Sequence, residues 1–256
     1  MTTQSEAEKK AERVYRKKML DQRLQKNVSF PGYVYGGAEY YIENWVKQQL
    51  LVLEEFLLPS VREKLSGGKI LELGAESGHI SAYFRNTFEP RLALATDISE
   101  SLIEAMPAVS ARLGFSRCPA GAITDNYRLP FKDHSFDLVI GFSVLHHVPD
   151  PQTVMKEVAR VLKADGVAVF IGEPFLPAYL LPMQFLFSVF DKKQGICEKV
   201  FSLRQWMLAF AGFKTEFVRL FPPEALKTVL PRTPFLYRYL TGGGLGVVLR
   251  KNIPGP

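Results

Sequence analysis

The stretch KILELGAESGHIS, Lys69 to Ser81, decides how the rest of the chain is read. An apolar run, Ile70, Leu71 and Leu73, carries one acid, Glu72, and ends in a turn bracketed by Gly74 and Gly78. A strand entering a glycine turn that opens a helix points backbone N–H groups at whatever lies above the strand end. Such a turn holds a nucleotide-like cofactor in many α/β domains, and by itself does not say which.

Outward from this turn, strands and helices alternate. The spacing predicts a helix from Gly78 to Asn86, then a short apolar strand, Leu92 to Thr96, ending at Asp97. Asp97 lies roughly 20 residues beyond Gly74, where a carboxylate can accept both hydroxyls of a ribose. The competing reading is a carboxylate that caps its own turn. Ser99 and Glu100 read as an N-cap and a first-turn acid, and Pro107 falls inside the helix that follows. A weak strand, Ala120 to Thr124, runs into Asp125, and Phe136 to Phe142 is a wholly apolar strand. Asp150-Pro151 marks a helix start, since proline is tolerated at the first helical position. That helix reaches Leu162, the Asp165-Gly166 turn stops it, and Val167 to Ile171 forms the next strand. This alternation predicts βαβ crossovers in an α/β, Rossmann-like, doubly wound, mostly parallel sheet.

The flanks read differently. Residues 5–27 are charged and helix-prone with little apolar face, which predicts an exposed or frayed helix. A tyrosine-rich loop follows, and apolar residues at helical spacing from Ala38 to Leu58 predict an amphipathic helix before Pro59. Beyond Pro174, FLPAYLLPMQFLFSVF is apolar, is broken by Pro177 and Pro182, and falls short of the ~20 residues a membrane span needs. Ser202 begins a helix to Phe210; strands are expected over Lys214 to Leu220 and Leu245 to Arg250.

Composition bounds the function. The chain has 256 residues, 47% hydrophobic and 23% charged, which suits a globular core. Its net +6 is uneven: residues 1–30 hold 8 basic and 4 acidic groups, residues 31–190 hold 13 and 18, and residues 191–256 hold 11 and 4. No arginine–aromatic ladder points to nucleic acid. Cys118 and Cys197 lack metal or redox-pair spacing, so no metal is expected. The polar start, MTTQSEAEKK, has no apolar leader core, and a cytoplasmic location is expected.

The stretch TDNYRLPFKDHSFDLVIGFSVLHHVPDP, with VMKEVARVLKADGVAVFIGEP after it, separates the cofactor candidates. From about Ser66 to Pro174 the chain resembles the class I S-adenosylmethionine-dependent methyltransferases, the small-molecule group in particular. LELGAESG, ATDIS, D-x-x-x-LPF, SFDLV, LHHV and VLK-x-D-G carry the resemblance in that order. It implies a seven-stranded sheet and S-adenosyl-L-methionine as cofactor, S-adenosyl-L-homocysteine being the product. It further implies that Glu72 organises the turn and the methionine amino group, and that Gly74 and Gly78 let the backbone approach. Asp97 would bind the ribose and Ile98 pack on adenine. Asp125 would accept from the adenine amine, with Asn126 presenting its N–H to the ring. Phe142 and Ser143 would lie beside the methionine. The family's central glycine is Glu76 here, a side chain that either crowds the cofactor or turns outward.

Methyl transfer depends mostly on positioning, with an optional general base on the acceptor. His146 and His147 are the base candidates, His146 first because some similar O-methyltransferases use the first histidine of LHH. A structural role for either histidine stays open. Glu173 is read as facing the acceptor and able to orient it, or as a strand-end cap before Pro174.

Residues 1–65 are expected to form a helical and aromatic cap, and 66–256 the methyltransferase domain. Lid insertions are expected at about 175–200 and 221–244. Their apolar sequences, with Tyr33, Tyr35, Tyr40 and Tyr41, suit a small hydrophobic acceptor methylated at oxygen or carbon. Basic residues at the rim (Lys192, Lys193, Lys227, Arg232, Arg238) keep a second reading in play: a peripheral membrane contact and a lipid or lipid-linked saccharide as acceptor. A third reading is a methyltransferase-like protein that binds without turnover.

Overall fold

The computed structural model describes residues 6–24, 28–30, 33–35, 45–176, 199–221 and 244–251. Most of both expected lids, Tyr40 and Tyr41, Cys197 and the five basic rim residues lie outside the described residues.

In chain order the elements are α1 (Glu6–Leu24), a short hairpin of β1 (Val28–Phe30) and β2 (Tyr33–Tyr35), α2 (Lys47–Glu54) and α3 (Pro59–Leu65). The alternating core follows: β3 (Lys69–Leu73), α4 (His79–Thr87), β4 (Leu92–Asp97), α5 (Glu100–Arg112), β5 (Ala120–Ile123), β6 (Phe136–Phe142), α6 (Pro151–Val161) and β7 (Leu162–Leu176). After it come β8 (Phe201–Ser202), α7 (Leu203–Ala209), β9 (Phe213–Phe221) and β10 (Gly244–Lys251).

The main sheet runs β5-β4-β3-β6-β7-β10-β9, and the two-residue β8 pairs beside β7. Strands β3 to β7 pair in parallel, and β10 alone runs antiparallel to both its neighbours. This is the doubly wound sheet expected from the alternation.

Successive strand side chains face opposite ways, so each central strand feeds two cores. Leu71, Leu73, Val139 and Phe170 join Val154, Val158, Trp206 and Phe210 of α6 and α7 on one face. Ile70, Leu138, Ile140 and Val169 meet Leu53, Val61, Leu65 and Phe84 of α2, α3 and α4 on the other. Burial on both faces explains why β6 reads as a continuous apolar run and not an alternating one.

The sequence motifs acquire physical reasons here. Asp137 of SFD accepts from the Lys69 backbone N–H at 2.9 Å and from Lys163 Nζ at 2.7 Å, locking β3 beside β6. Arg160 of α6 donates to the carbonyls of Leu129 and Phe131, while Glu157 accepts from the Leu129 N–H, so the LPF loop is pinned. Asp150 caps α6 by accepting from Gln152 N and Thr153 N. Ser202 and Gln205 form a capping box on α7.

Two local expectations need correction. Ser99 sits at the N-cap of α5, but its hydroxyl pairs with that of Ser101 and caps no backbone N–H. The helix expected from Ala38 to Leu58 is, within the described residues, the shorter α2, and α3 starts anew at Pro59.

Candidate active site

The strand order reverses between β3 and β6, and ligands of such sheets lie outside the carboxyl ends at that reversal. A cavity of about 50 Å³ occupies that place. Gly74, Asp97, Ile98, Asp125 and Asn126, all expected from sequence, line it together. Gly74 has φ +58°, and a Cβ there would come within 2.4 Å of Val144 Cγ2. The turn thus tolerates no side chain for two independent reasons.

The other expected residues stand around the cavity without lining it. Gly78, at φ +67°, caps α4 in the left-handed region and packs against Met106, where a Cβ would reach Sδ at 2.5 Å. Its need for glycine comes from helix start and packing. Glu72 accepts from the Ser81 N–H at 2.8 Å, tying β3 to α4. Ser143, at φ +52°, bridges to β7 through its N–H on Ile171 O and its hydroxyl on Gly172 O. Phe142 ends β6 just below it, largely buried.

Asp97 takes both of the roles weighed for it. It lines the cavity, and its oxygens also accept from Ser99 N at 2.9 Å and Glu76 N at 3.1 Å. Each carboxylate oxygen has a further lone pair for a ligand. Burial pushes Asp97 up to about 6, against the lowering pull of Arg16 and the two N–H donors. Burial likewise pushes Glu72 up to about 7, opposed by its bonds from Ser81 and reinforced by the nearby acids Asp97 and Glu76.

Glu76 turns outward. Its backbone adopts φ +48°, and its carboxylate accepts from Trp45 Nε1 at 3.1 Å and lies 3.8 Å from an Arg16 nitrogen. The residue at the family's glycine position therefore does not line the cavity.

The reading of α1 as an exposed helix holds for most of its described side chains and fails on the face that meets the cavity. Glu12 is 4% exposed, and Glu12 and Arg16 line the cavity from above. Arg16 Nε donates to Glu12 at 2.8 Å, and Lys9 Nζ pairs with Asp125 at 2.6 Å. Burial disfavours the Arg16 cation, yet the carboxylates of Glu12, Asp97 and Glu76 outweigh it and raise its pKa. The signal available in the sequence was charge: a basic N-terminal stretch set against an acidic centre.

On the far side of the cavity a 3₁₀ turn, Leu145–His147, follows β6. Glu173 does not line the cavity. It is fully buried, and its carboxylate accepts from the backbone N–H groups of Val144, Leu145 and His146 at 2.9, 3.0 and 3.0 Å. His146 Nδ1 adds a fourth contact at 2.9 Å. Trp206 Nε1 donates to the adjacent Pro174 carbonyl, fastening this strand end to α7. His147 lines the cavity; burial, then His146 and Arg16, drive its pKa well below the usual imidazole range.

Residues 71–170 match the family described as "Methyltransferase domain". With the fold and the motif order, this makes residues 71–170 part of a class I S-adenosylmethionine-dependent methyltransferase domain. A demethylmenaquinone methyltransferase of Bacillus licheniformis is 38% identical over 123 residues, covering 45% of this chain and 50% of its own length. The chain spans about half the length of the curated relatives it matches. An S-adenosylmethionine-dependent methyltransferase from Mesorhizobium loti superposes with a TM-score of 0.57 at 20% identity, over 80% of this chain and 98% of that one. Geranyl diphosphate methyltransferase, solved with GPP and sinefungin, gives 0.61 at 16% identity over 79% of each chain. At such identities the two structures speak for the fold alone.

The residues present fit the cofactor that this family implies. Two carboxylates, Asp97 and Asp125, meet a glycine turn and an apolar Ile98 at one cavity, a donor and acceptor set suited to a ribose diol and an adenine amine. Among the described residues no cluster of His, Cys, Asp and Glu could hold a metal ion. None of the described helices is long and apolar enough to cross a membrane.

Proposed function

We propose that the chain is an S-adenosylmethionine-dependent methyltransferase that moves a methyl group to oxygen or carbon of a small, largely apolar acceptor. The observation that carries this reading is the convergence of Gly74, Asp97, Ile98, Asp125 and Asn126 on one cavity at the strand reversal. When bound, S-adenosylmethionine supplies an electrophilic methyl group. The chain's own residues orient and hold: Asp97 the ribose hydroxyls, Asp125 and the Asn126 N–H the adenine edge, Ile98 its face. Glu72 stands behind the turn as the buried partner for the methionine ammonium, through water.

His146 serves as the general base. Glu173 receives N–H donors at both oxygens, so the proton of His146 belongs on Nδ1, which donates to Glu173 Oε2. This leaves Nε2 with the lone pair, the arrangement by which a buried carboxylate fixes the tautomer of a catalytic histidine. Glu173 is then a positioning residue. The relatives named for demethylmenaquinone support an apolar ring acceptor, and quinols with apolar tails are the first compounds to assay. Residues 1–65 act as a cap over this site, and the location is cytoplasmic. Incubation with S-adenosylmethionine and a panel of quinols, phenols and lipid-linked saccharides tests the reading by mass spectrometry. A quinol or phenol gaining one methyl group is expected; methylation of the saccharides alone, or of nothing in a folded sample, overturns it.

A further inference from the structure

The cavity is far smaller than the ~300 Å³ or more of ordinary small-molecule sites. Glu12 and Arg16 of α1 form part of its lining. Lys9 holds the Asp125 carboxylate at 2.6 Å, the group read as the adenine-amine acceptor. Arg16 stands between Glu12 at 2.8 Å and Glu76 at 3.8 Å, over the cavity that Asp97 lines. Two of these partners, Asp125 and Glu76, lie in or beside the cofactor turn and strand ends, and α1 also rests on α5. We infer that α1 is an intramolecular occupant of the cofactor site: an autoinhibitory strap whose Lys9 takes the Asp125 carboxylate and whose Arg16, held by Glu12 and Glu76, stands over the cavity, so that cofactor entry requires α1 to leave.

Several features shape this strap. It is held by charge, and none of its described apolar side chains is buried. Ion pairs of partly exposed groups are weak one by one. Trp45, bonded to Glu76, ties the same carboxylate to the segment before α2, so that Glu76 joins the cofactor turn to both covering elements. A protein whose competent state is only a fraction of the population binds its ligand more weakly by that fraction, and loosening the closed state restores the affinity. A lid that closes on bound cofactor and a strap that excludes it make opposite predictions for α1.

This inference rests on the cofactor reading of the cavity, and the test separates the two. S-adenosylhomocysteine is added to the 256-residue chain and to its Lys9→Met and Lys9→Met/Arg16→Met variants, with tryptophan fluorescence as one readout. Tighter binding and faster association are expected, by about threefold for the single variant and about tenfold for the double. In the wild type, the ligand should speed tryptic cleavage after Arg13 and Lys17. Variants that stay folded yet bind no tighter, or protection of α1 by the ligand, overturn the strap and leave the cofactor site standing. Absence of binding by wild type and variants alike overturns both. Should the double variant fail to fold, Lys9→Met alone decides the matter, since it removes only the pairs of Lys9 with Glu6 and Asp125.

Discussion

Two sets of buried acids close the strand ends on either side of the cavity, and they are treated differently. Glu173, near the end of β7, is saturated: four N–H donors converge on its two oxygens. Asp97 and Glu72, at the end of β4 and on β3, receive two donors and one, and burial raises both well above the usual carboxylate range. A saturated carboxylate is a building element. An acid left short of donors in a buried place is held at a cost that a ligand can offset, which is why perturbed groups gather at functional sites. The difference separates a framework side, which shapes the turn carrying His146, from a binding side.

The largest effect that could break this comparison is on stability. Glu173→Ala leaves buried N–H groups without acceptors, each worth ~1–3 kcal/mol, so a loss of several kcal/mol is expected in urea unfolding. Asp97→Ala should cost at most about 2 kcal/mol, because burial of that acid is already unfavourable. Equal losses would erase the distinction. Next, His146→Ala should lower turnover about 100-fold or more while cofactor affinity stays unchanged, the pattern of a lost general base. A near-normal rate would return His146 to the framework. On the binding side, Asp97→Ala should weaken S-adenosylhomocysteine by ~1–3 kcal/mol, the scale of charge-assisted hydrogen bonds.

The smallest effect is a pH dependence with a definite sign. Folding raises Glu72 from 4.5 to about 7 and Asp97 from 3.8 to about 6, so the folded chain keeps protons that the unfolded chain releases. Their contribution is full below about pH 4 and is lost as pH rises through about 6 and 7. Thermal unfolding between pH 5 and pH 8 measures it, and Glu72→Gln should flatten the profile. An unchanged slope in that variant would show that Glu72 is not the titrating group.

The parallel core was readable because its signals are local. The glycine turn, the apolar run of β6 and the Asp150-Pro151 start each depend on neighbouring residues, and the observed limits of β3 to β6 fall close to those read from sequence, whereas β7 runs over Leu162–Leu176 and not Val167 to Ile171, taking in the expected Asp165-Gly166 turn. Both corrected site roles depend on contacts distant in sequence. Glu173 binds backbone groups of residues 144–146, which a sequence does not display as a motif. In α1, an apolar-periodicity search sees a polar helix and predicts exposure, while its partners Glu76 and Asp125 lie far along the chain. The excess of basic groups before residue 31 and of acids over residues 31–190 was the one trace of that contact.

The central claim is that the cavity between α1 and the ends of β3 to β6 is an S-adenosylmethionine site. Isothermal titration of the 256-residue chain with S-adenosylhomocysteine tests it most directly. The account predicts one molecule bound per chain, tighter in Lys9→Met and weaker in Asp97→Ala. A folded chain that takes up none in either the wild type or Lys9→Met, or an Asp97→Ala variant that binds as well as the wild type, would contradict it.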